Sequence, residues 1–110
     1  MLGVRLYLAQ RLSAFVMAPL VLVHLAVMIY AVQGGLDANE ILSRTRGSLW
    51  WGAMYGLLVA AVSVHTAIGL RIIVHEHLKF GGAALNLFTW GVGLVLLAMG
   101  GRAVVAVTLG

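Results

Sequence analysis

Residues 12–32 read LSAFVMAPLVLVHLAVMIYAV, a run of 21 residues without Asp, Glu, Lys or Arg. An α-helix of that length rises about 1.5 Å per residue and can cross a hydrocarbon core of about 30 Å. Pro19 lies inside the run, where it removes one backbone donor, a loss that membrane helices tolerate when a neighbour satisfies the freed carbonyl. The stretch predicts a first transmembrane helix over about residues 12–33.

Two further apolar runs predict two more transmembrane helices. The second is expected over about residues 48–78 and opens with two adjacent tryptophans, a pattern typical of the membrane interface. The third is expected over about residues 83–107, after a turn at 79–82. The chain is therefore predicted to be an all-α membrane protein, a single domain over residues 1–110 with three transmembrane helices running up, down and up. Glycines of the third helix are interpreted as packing notches, at positions 91, 93, 100 and 101.

The composition supports a membrane location. Hydrophobic residues make up 63% of the chain and charged residues 9%, against about 25% charged in soluble domains. The chain has no cysteine, so it cannot supply a disulfide, a thiolate metal ligand or a ligand to an iron–sulfur cluster. The net charge of +4 comes from basic residues scattered at helix ends. This distribution suits membrane topology and lipid headgroups, and no nucleic-acid partner is expected.

The charge distribution also predicts an orientation. Four basic residues fall on the side of the N-terminus and the second turn, and three on the other side, which favours a cytoplasmic N-terminus. The opposite side holds a polar connection with a short helix over about residues 37–42, capped by Asp37. The first apolar run is a full span without an A-x-A-like cleavage site, so we expect a chain that begins at Met1 in a bacterial cytoplasmic membrane.

His65 is the most informative polar residue, because an ionisable side chain inside a span is expected to face a partner or a cofactor. Ala61 and Gly69 lie four residues on either side, on the same helix face. The imidazole would project between two small side chains, where the flat macrocycle of haem b could approach. Alternatively, the small residues are ordinary packing positions and His65 forms an interhelical hydrogen bond.

His24 also lies inside a predicted span, beside bulky neighbours. It is interpreted either as a second haem ligand or as a buried polar residue with a protein partner. His24 lies about 20 Å beyond Arg11 and His65 about 9 Å before Arg71, measured along their helices from the same boundary. The two histidines therefore need not serve the same haem.

Gln10, Arg11 and Ser13 place an amide, a guanidinium and a hydroxyl at the start of the first span, with Tyr7 one turn before Arg11. Such donors suit a quinone headgroup or a haem propionate. The alternative is a snorkelling arginine beside a helix-start serine. Arg71 opens a charged helix end whose candidate roles are a propionate partner, part of a proton-access cluster, or a solvated helix end.

Two motifs resemble one family. Residues 65–71, HTAIGLR, followed by Glu76, are similar to the H-x-x-x-G-[IL]-R-x-x-x-x-[DE] signature of the cytochrome b membrane-anchor subunit of succinate dehydrogenase. Residues 10–14, QRLSA, resemble that family's H-R-x-S-G at the start of the first span. Gln10 departs from the usual histidine, and Tyr7 stands where the family often has a quinone-site serine.

The resemblance implies a subunit of succinate:quinone oxidoreductase that passes electrons from an iron–sulfur subunit to ubiquinone or menaquinone in the membrane. Succinate oxidation itself would lie on a flavoprotein subunit, so this chain would serve the enzyme without being the dehydrogenase. A second membrane-anchor chain is implied to supply the opposing haem ligands. Membrane lipid and quinone complete the expected partners.

The same resemblance implies roles for individual residues. His65 would be an axial ligand of haem b, and Arg11 would lie near its propionates; Arg71 is predicted from its own position to be a further propionate contact. Arg11 would also reach the quinone, together with Ser13 and Tyr7.

Family members with two haems carry one ligand on the first helix and another on the second, so His24 is expected to bind a second haem. Two alternatives remain for the whole chain. One is a haem-free structural anchor, and the other is a small multidrug-type transporter, a class that needs a fourth span and a carboxylate within the membrane.

Overall fold

The computed structural model describes residues 2–79 and 81–109. Within these residues the chain forms four helices, which are α1 Leu2–Gln33, α2 Ala38–Thr45, α3 Leu49–Leu78 and α4 Gly82–Thr108. Three of them, α1, α3 and α4, are long and apolar enough to cross a membrane. The predicted all-α fold with three transmembrane helices is confirmed.

The first helix continues without a break from Leu2 to Gln33, through Pro19. It begins ten residues before the predicted start at residue 12 (12 − 2). Residues 2–11 contain leucine, arginine, alanine and glutamine, which are strong helix formers, and no proline. The segment before the predicted span is therefore part of the same helix.

The short helix α2 is fixed at both ends. The Asp37 carboxylate caps its start by accepting a hydrogen bond from the backbone N–H two residues on, at 3.1 Å. At its end, the Thr45 hydroxyl donates to the Val107 carbonyl at 2.8 Å, and the Gly47 N–H donates to the Thr108 carbonyl at 2.6 Å. The last carbonyls of a helix lack partners within it. The end of α2 therefore completes the hydrogen bonding at the end of α4.

The central helix is α3, which packs against both α1 and α4. Lys79, in the left-handed conformation with φ 57°, ends α3. Position 80, which belongs to the predicted turn, lies outside the described residues. The described chain extends over 47 × 23 × 23 Å, long enough to span a bilayer with its headgroup regions, about 40–45 Å.

Two glycines of α4 allow it to approach α3 closely. A Cβ added at Gly100 would lie 2.5 Å from Cγ1 of Val59, and one at Gly93 would lie 3.5 Å from the Cβ of Ala67. The positions 91 and 101 face open space. The notch prediction is therefore confirmed for Gly93 and Gly100 and wrong for the other two, because the contact line with α3 follows only one side of α4.

Most of the apolar surface of the three long helices is not covered by the chain itself. In the most apolar window of each helix, 6% of the residues are buried in α1, 22% in α3 and 6% in α4. Lipid tails or other membrane chains must cover the remainder.

Candidate functional site

The imidazole of His65 contacts α1. Its Nδ1 lies 3.4 Å from Oγ of Ser13, and the Ser13 hydroxyl donates to the Gln10 carbonyl at 2.9 Å. A serine hydroxyl has one proton to donate. With that proton on the Gln10 carbonyl, the contact with Ser13 favours the His65 tautomer that carries its proton on Nδ1 and has a lone pair on Nε2.

The other nitrogen of His65 is open. Ser13 is 7% exposed, whereas His65 is partly exposed. In the described part of the chain, Ser13 is the sole hydrogen-bond partner of His65. Nε2 can therefore coordinate a metal centre brought by a group outside this chain.

The notch at Gly69, one turn beyond His65, receives a side chain of α1. A Cβ at Gly69 would lie 3.5 Å from Nε2 of Gln10, and Ala61 on the same face is buried. The packing interpretation therefore describes this notch in the chain on its own. Oε1 of Gln10 is buried without a hydrogen-bond partner among the described residues, so a donor is missing beside the histidine.

The structure separates the residues predicted to contact quinone. The guanidinium carbon of Arg11 lies 5.8 Å from the centroid of the Tyr7 ring, and both side chains are exposed. Ser13 is buried instead, with its hydroxyl occupied by His65 and Gln10. Tyr7 and Arg11 thus form an exposed pair, and Ser13 belongs to the histidine site.

Arg71 is held by α4. Its Nη1 donates to Oδ1 of Asn86 at 2.8 Å and to Oγ1 of Thr89 at 3.2 Å. The sequence analysis did not single out these two partners. Their spacing of three residues places them on one face at the start of an apolar helix, and two polar side chains in that position indicate a polar partner across the helices.

His24 lies at a different depth from His65. Its ring is 5.7 Å from the ring of Tyr55, in an edge-to-face arrangement. Eleven residues separate Ser13, which is level with His65, from His24 along α1, a rise of about 16 Å. His24 is exposed and lines a groove of about 410 Å³ that Tyr55 and Arg44 also line.

Arg44 also lines this groove, and only part of its guanidinium forms hydrogen bonds among the described residues. It donates to Glu40 at 2.8 Å, and its guanidinium carbon lies 5.0 Å from the centroid of the Tyr30 ring. Its Nη1 is buried and lacks a hydrogen-bond partner among the described residues. Sequence reasoning missed Tyr55 and Arg44 as neighbours of His24, although a tyrosine inside a span is itself a sign of a polar contact.

The histidines are not part of a metal site built by this chain alone. Within residues 2–79 and 81–109, no three His, Cys, Asp or Glu side chains come together in a way that could hold a metal ion. Each intramembrane histidine can contribute a single imidazole ligand.

Comparison with known proteins gives a single informative result. Searches of curated proteins and of solved structures gave no match. A family model described as succinate dehydrogenase/fumarate reductase transmembrane subunit matches residues 1–108, which cover all three membrane-spanning helices. The chain therefore belongs to the succinate dehydrogenase/fumarate reductase transmembrane subunit family, as a multi-pass membrane subunit that associates with other subunits of that enzyme complex.

Proposed function

We propose that the chain is a haem b-binding membrane anchor that passes electrons from the iron–sulfur subunit of the complex to membrane quinone. A flavoprotein subunit would carry out the dicarboxylate chemistry, and a second anchor chain would provide the opposing haem ligands. The expected location is a bacterial cytoplasmic membrane with the N-terminus in the cytoplasm. The observation that carries the proposal is His65, with Nδ1 bonded to Ser13 and Nε2 open.

The residues around His65 fit an axial haem ligand. Ser13 contacts Nδ1 and donates to the Gln10 carbonyl, so α1 orients the ring and favours the tautomer with the lone pair on Nε2. Such outer partners raise the basicity of a ligating histidine and hold it toward the metal. A bound haem b would supply a one-electron carrier.

Arg11 and Tyr7 are the proposed quinone contacts of this chain. They form an exposed pair on α1, where a guanidinium and a phenol can donate to a quinone carbonyl, and Arg11 also suits a propionate. We propose that Ser13 acts mainly through His65, because its hydroxyl is already bonded. A propionate contact of Arg71 stays a prediction, since its Nη1 donates to Asn86 and Thr89.

We propose that His24 binds a second haem, with its imidazole about 16 Å deeper than the level of Ser13. The groove beside His24 supports this, because Arg44 lines it and a guanidinium suits a propionate.

The central test is a reduced-minus-oxidised absorbance spectrum of the purified complex. The unmodified complex should show b-type bands, and His65→Leu should lose those of the haem that it binds. His77→Leu, at the exposed end of the same helix, is the matched control and should keep them. Absence of b-type bands from the unmodified complex, or an unchanged spectrum in His65→Leu, would refute the haem assignment.

The quinone contact is tested by Arg11→Leu. Succinate-dependent quinone reduction should fall about 10- to 150-fold relative to reduction of an artificial acceptor, because a hydrogen bond to a charged donor contributes about 1.5–3 kcal/mol. Arg5→Leu removes another exposed arginine of α1 and should leave that ratio unchanged. Equal loss of both activities in Arg11→Leu would show that the arginine supports assembly instead.

The haem-free structural anchor is the second candidate function. The Ser13–His65 contact and the packing of Gln10 on Gly69 are what a purely structural interface would also show, and the spectrum distinguishes the two. The transporter alternative does not apply, because the chain belongs to the family and the described residues contain three candidate spans.

A further inference from the structure

A second groove lies between α3 and α4, with Arg71 at one end, and is called here the α3–α4 groove. Its volume is about 440 Å³. Arg71, Asn86 and Thr89 line its polar end, and Ala60 and Leu97 line its apolar end. His65 is not among its lining residues, so it is separate from the proposed haem ligand.

The length of the groove matches one leaflet of a bilayer. Eleven residues separate Ala60 from Arg71 on α3, and eleven separate Asn86 from Leu97 on α4. Each interval rises about 16 Å, which is half of a hydrocarbon core of about 30 Å. A ligand that fills the groove therefore has a polar head at the interface and a chain reaching the bilayer centre.

The walls of the groove suit a slender apolar chain. Small side chains line it at Ser63, Ala67 and Gly93, and the Ser63 hydroxyl is already bonded to the Val59 carbonyl at 2.7 Å. No buried side-chain polar atom along this stretch lacks a partner among the described residues. The lining of this stretch is otherwise mostly apolar, which suits a row of methylene groups.

The polar end carries a positive charge that no carboxylate balances. Both hydrogen-bond partners of Arg71, Asn86 and Thr89, are neutral. In the described residues the one salt bridge is Glu40–Arg44, on the opposite side of the membrane region. Arg71 is partly exposed, and its guanidinium has further donors for an anion.

We propose that the α3–α4 groove binds one acyl chain of an anionic phospholipid, with the lipid phosphate on Arg71. The occupant has the sign of charge that Arg71 requires, a head at the interface and a tail confined to one leaflet. A quinone has a neutral carbonyl head and would leave the guanidinium uncompensated. This proposal does not depend on haem binding, and it assigns Arg71 to a lipid phosphate in place of the haem propionate named in the sequence analysis.

The test uses the purified complex in bilayer discs that contain equal amounts of phosphatidylglycerol and phosphatidylcholine, with retained lipid counted by native mass spectrometry. One phosphatidylglycerol per copy of this chain should be retained, with an affinity about fivefold above that for phosphatidylcholine, the preference expected for one basic residue near the membrane surface. Arg71→Gln should remove the preference, and Arg71→Lys should keep most of it. Arg102→Gln, an exposed arginine near the other end of α4, should change nothing.

A second variant tests the apolar part. Ala60→Phe places a ring in the groove and should displace the retained lipid whatever its headgroup. Ala53→Phe makes the same change at an exposed position of α3 outside the groove and should retain the lipid.

Equal retention of both lipids by the unmodified complex would overturn the proposal, as would a preference that survives Arg71→Gln. Displacement of the phosphatidylglycerol by added quinone would assign the groove to quinone instead. If inorganic phosphate alone displaced the lipid, the acyl tail would contribute nothing to binding, and this result would also refute the proposal.

Discussion

His65 and His24 both lie in membrane-spanning helices, but the chain treats them differently. His65 is partly buried and bonded to Ser13, which is bonded in turn to Gln10. His24 is exposed, and its described contact is the edge of the Tyr55 ring. The protein thus fixes the orientation of one imidazole by a hydrogen bond and leaves the other to an aromatic contact.

The difference shows how much of a site a single anchor chain can prepare. At His65 the contact with Ser13 holds the ring, so the proposed ligand nitrogen is oriented before any partner binds. At His24 a groove and the guanidinium of Arg44 are present, but no hydrogen bond holds the ring. We therefore expect the His24 site to depend more strongly on the partner chain.

The largest expected effect on haem content comes from removing His24, the proposed ligand that no hydrogen bond within the chain holds. His24→Leu should lower the haem content of the complex by about half, since one of two proposed haems loses its axial ligand, and the b-type bands of the His65 haem should remain. Haem is measured as the pyridine complex per mole of purified protein. Met28→Leu changes another residue of the same groove and should keep the full haem content. Unchanged haem in His24→Leu would show that His24 is a polar packing residue.

A smaller effect on the amount of bound haem is expected when the hydrogen bond that supports His65 is removed, because the proposed ligand itself stays in place. Ser13→Ala removes the acceptor of Nδ1–H, and loss of such an outer partner costs about 10- to 100-fold in metal affinity. Haem retention during dilution into an apo-globin solution, which competes for haem, measures the change. Ser43→Ala, an exposed serine bonded to the Glu40 carbonyl, serves as the control. If Ser13→Ala weakened both haems equally, the proposed contrast between the two histidines would be wrong.

The smallest expected effect compares the glycines nearest the two sites. Gly100→Ala forces a methyl group against the branched side chain of Val59 at 2.5 Å, an overpacking that costs about 1–3 kcal/mol. Gly69→Ala meets only the flexible end of Gln10 at 3.5 Å and gains about 0.5–1 kcal/mol of helix stability. Thermal unfolding of the purified complex should therefore rank Gly69→Ala above Gly100→Ala. The reverse order would show that the Gln10 contact is the tighter one.

Much of the fold could be predicted from the sequence, because charge-free runs of membrane length can form few structures other than transmembrane helices. The three spans follow from such runs, and the start of α2 follows from the capping residue Asp37. The first span was predicted to begin at residue 12, because the two arginines before it indicated a membrane boundary, whereas α1 runs unbroken from Leu2.

Less of the candidate site could be predicted from the sequence. The sequence identified His65 and Ser13 as separate candidates, but not their contact, and it grouped Ser13 with Tyr7 and Arg11, from which the structure separates it. The physical reason is that these helices are apolar on every side, so no polar face indicates how each is rotated against its neighbours. The pairing of Arg71 with Asn86 depends on the same rotation.

The bonds between the end of α2 and the end of α4 have a consequence for biosynthesis. Thr45 and Gly47 leave the ribosome about sixty residues before their partners Val107 and Thr108. During synthesis the first loop must therefore cross or stay beside the membrane with these donors unpaired, because N-terminal segments emerge first. The loop closes only after the third span has been inserted, so its closure marks the completed topology of the subunit.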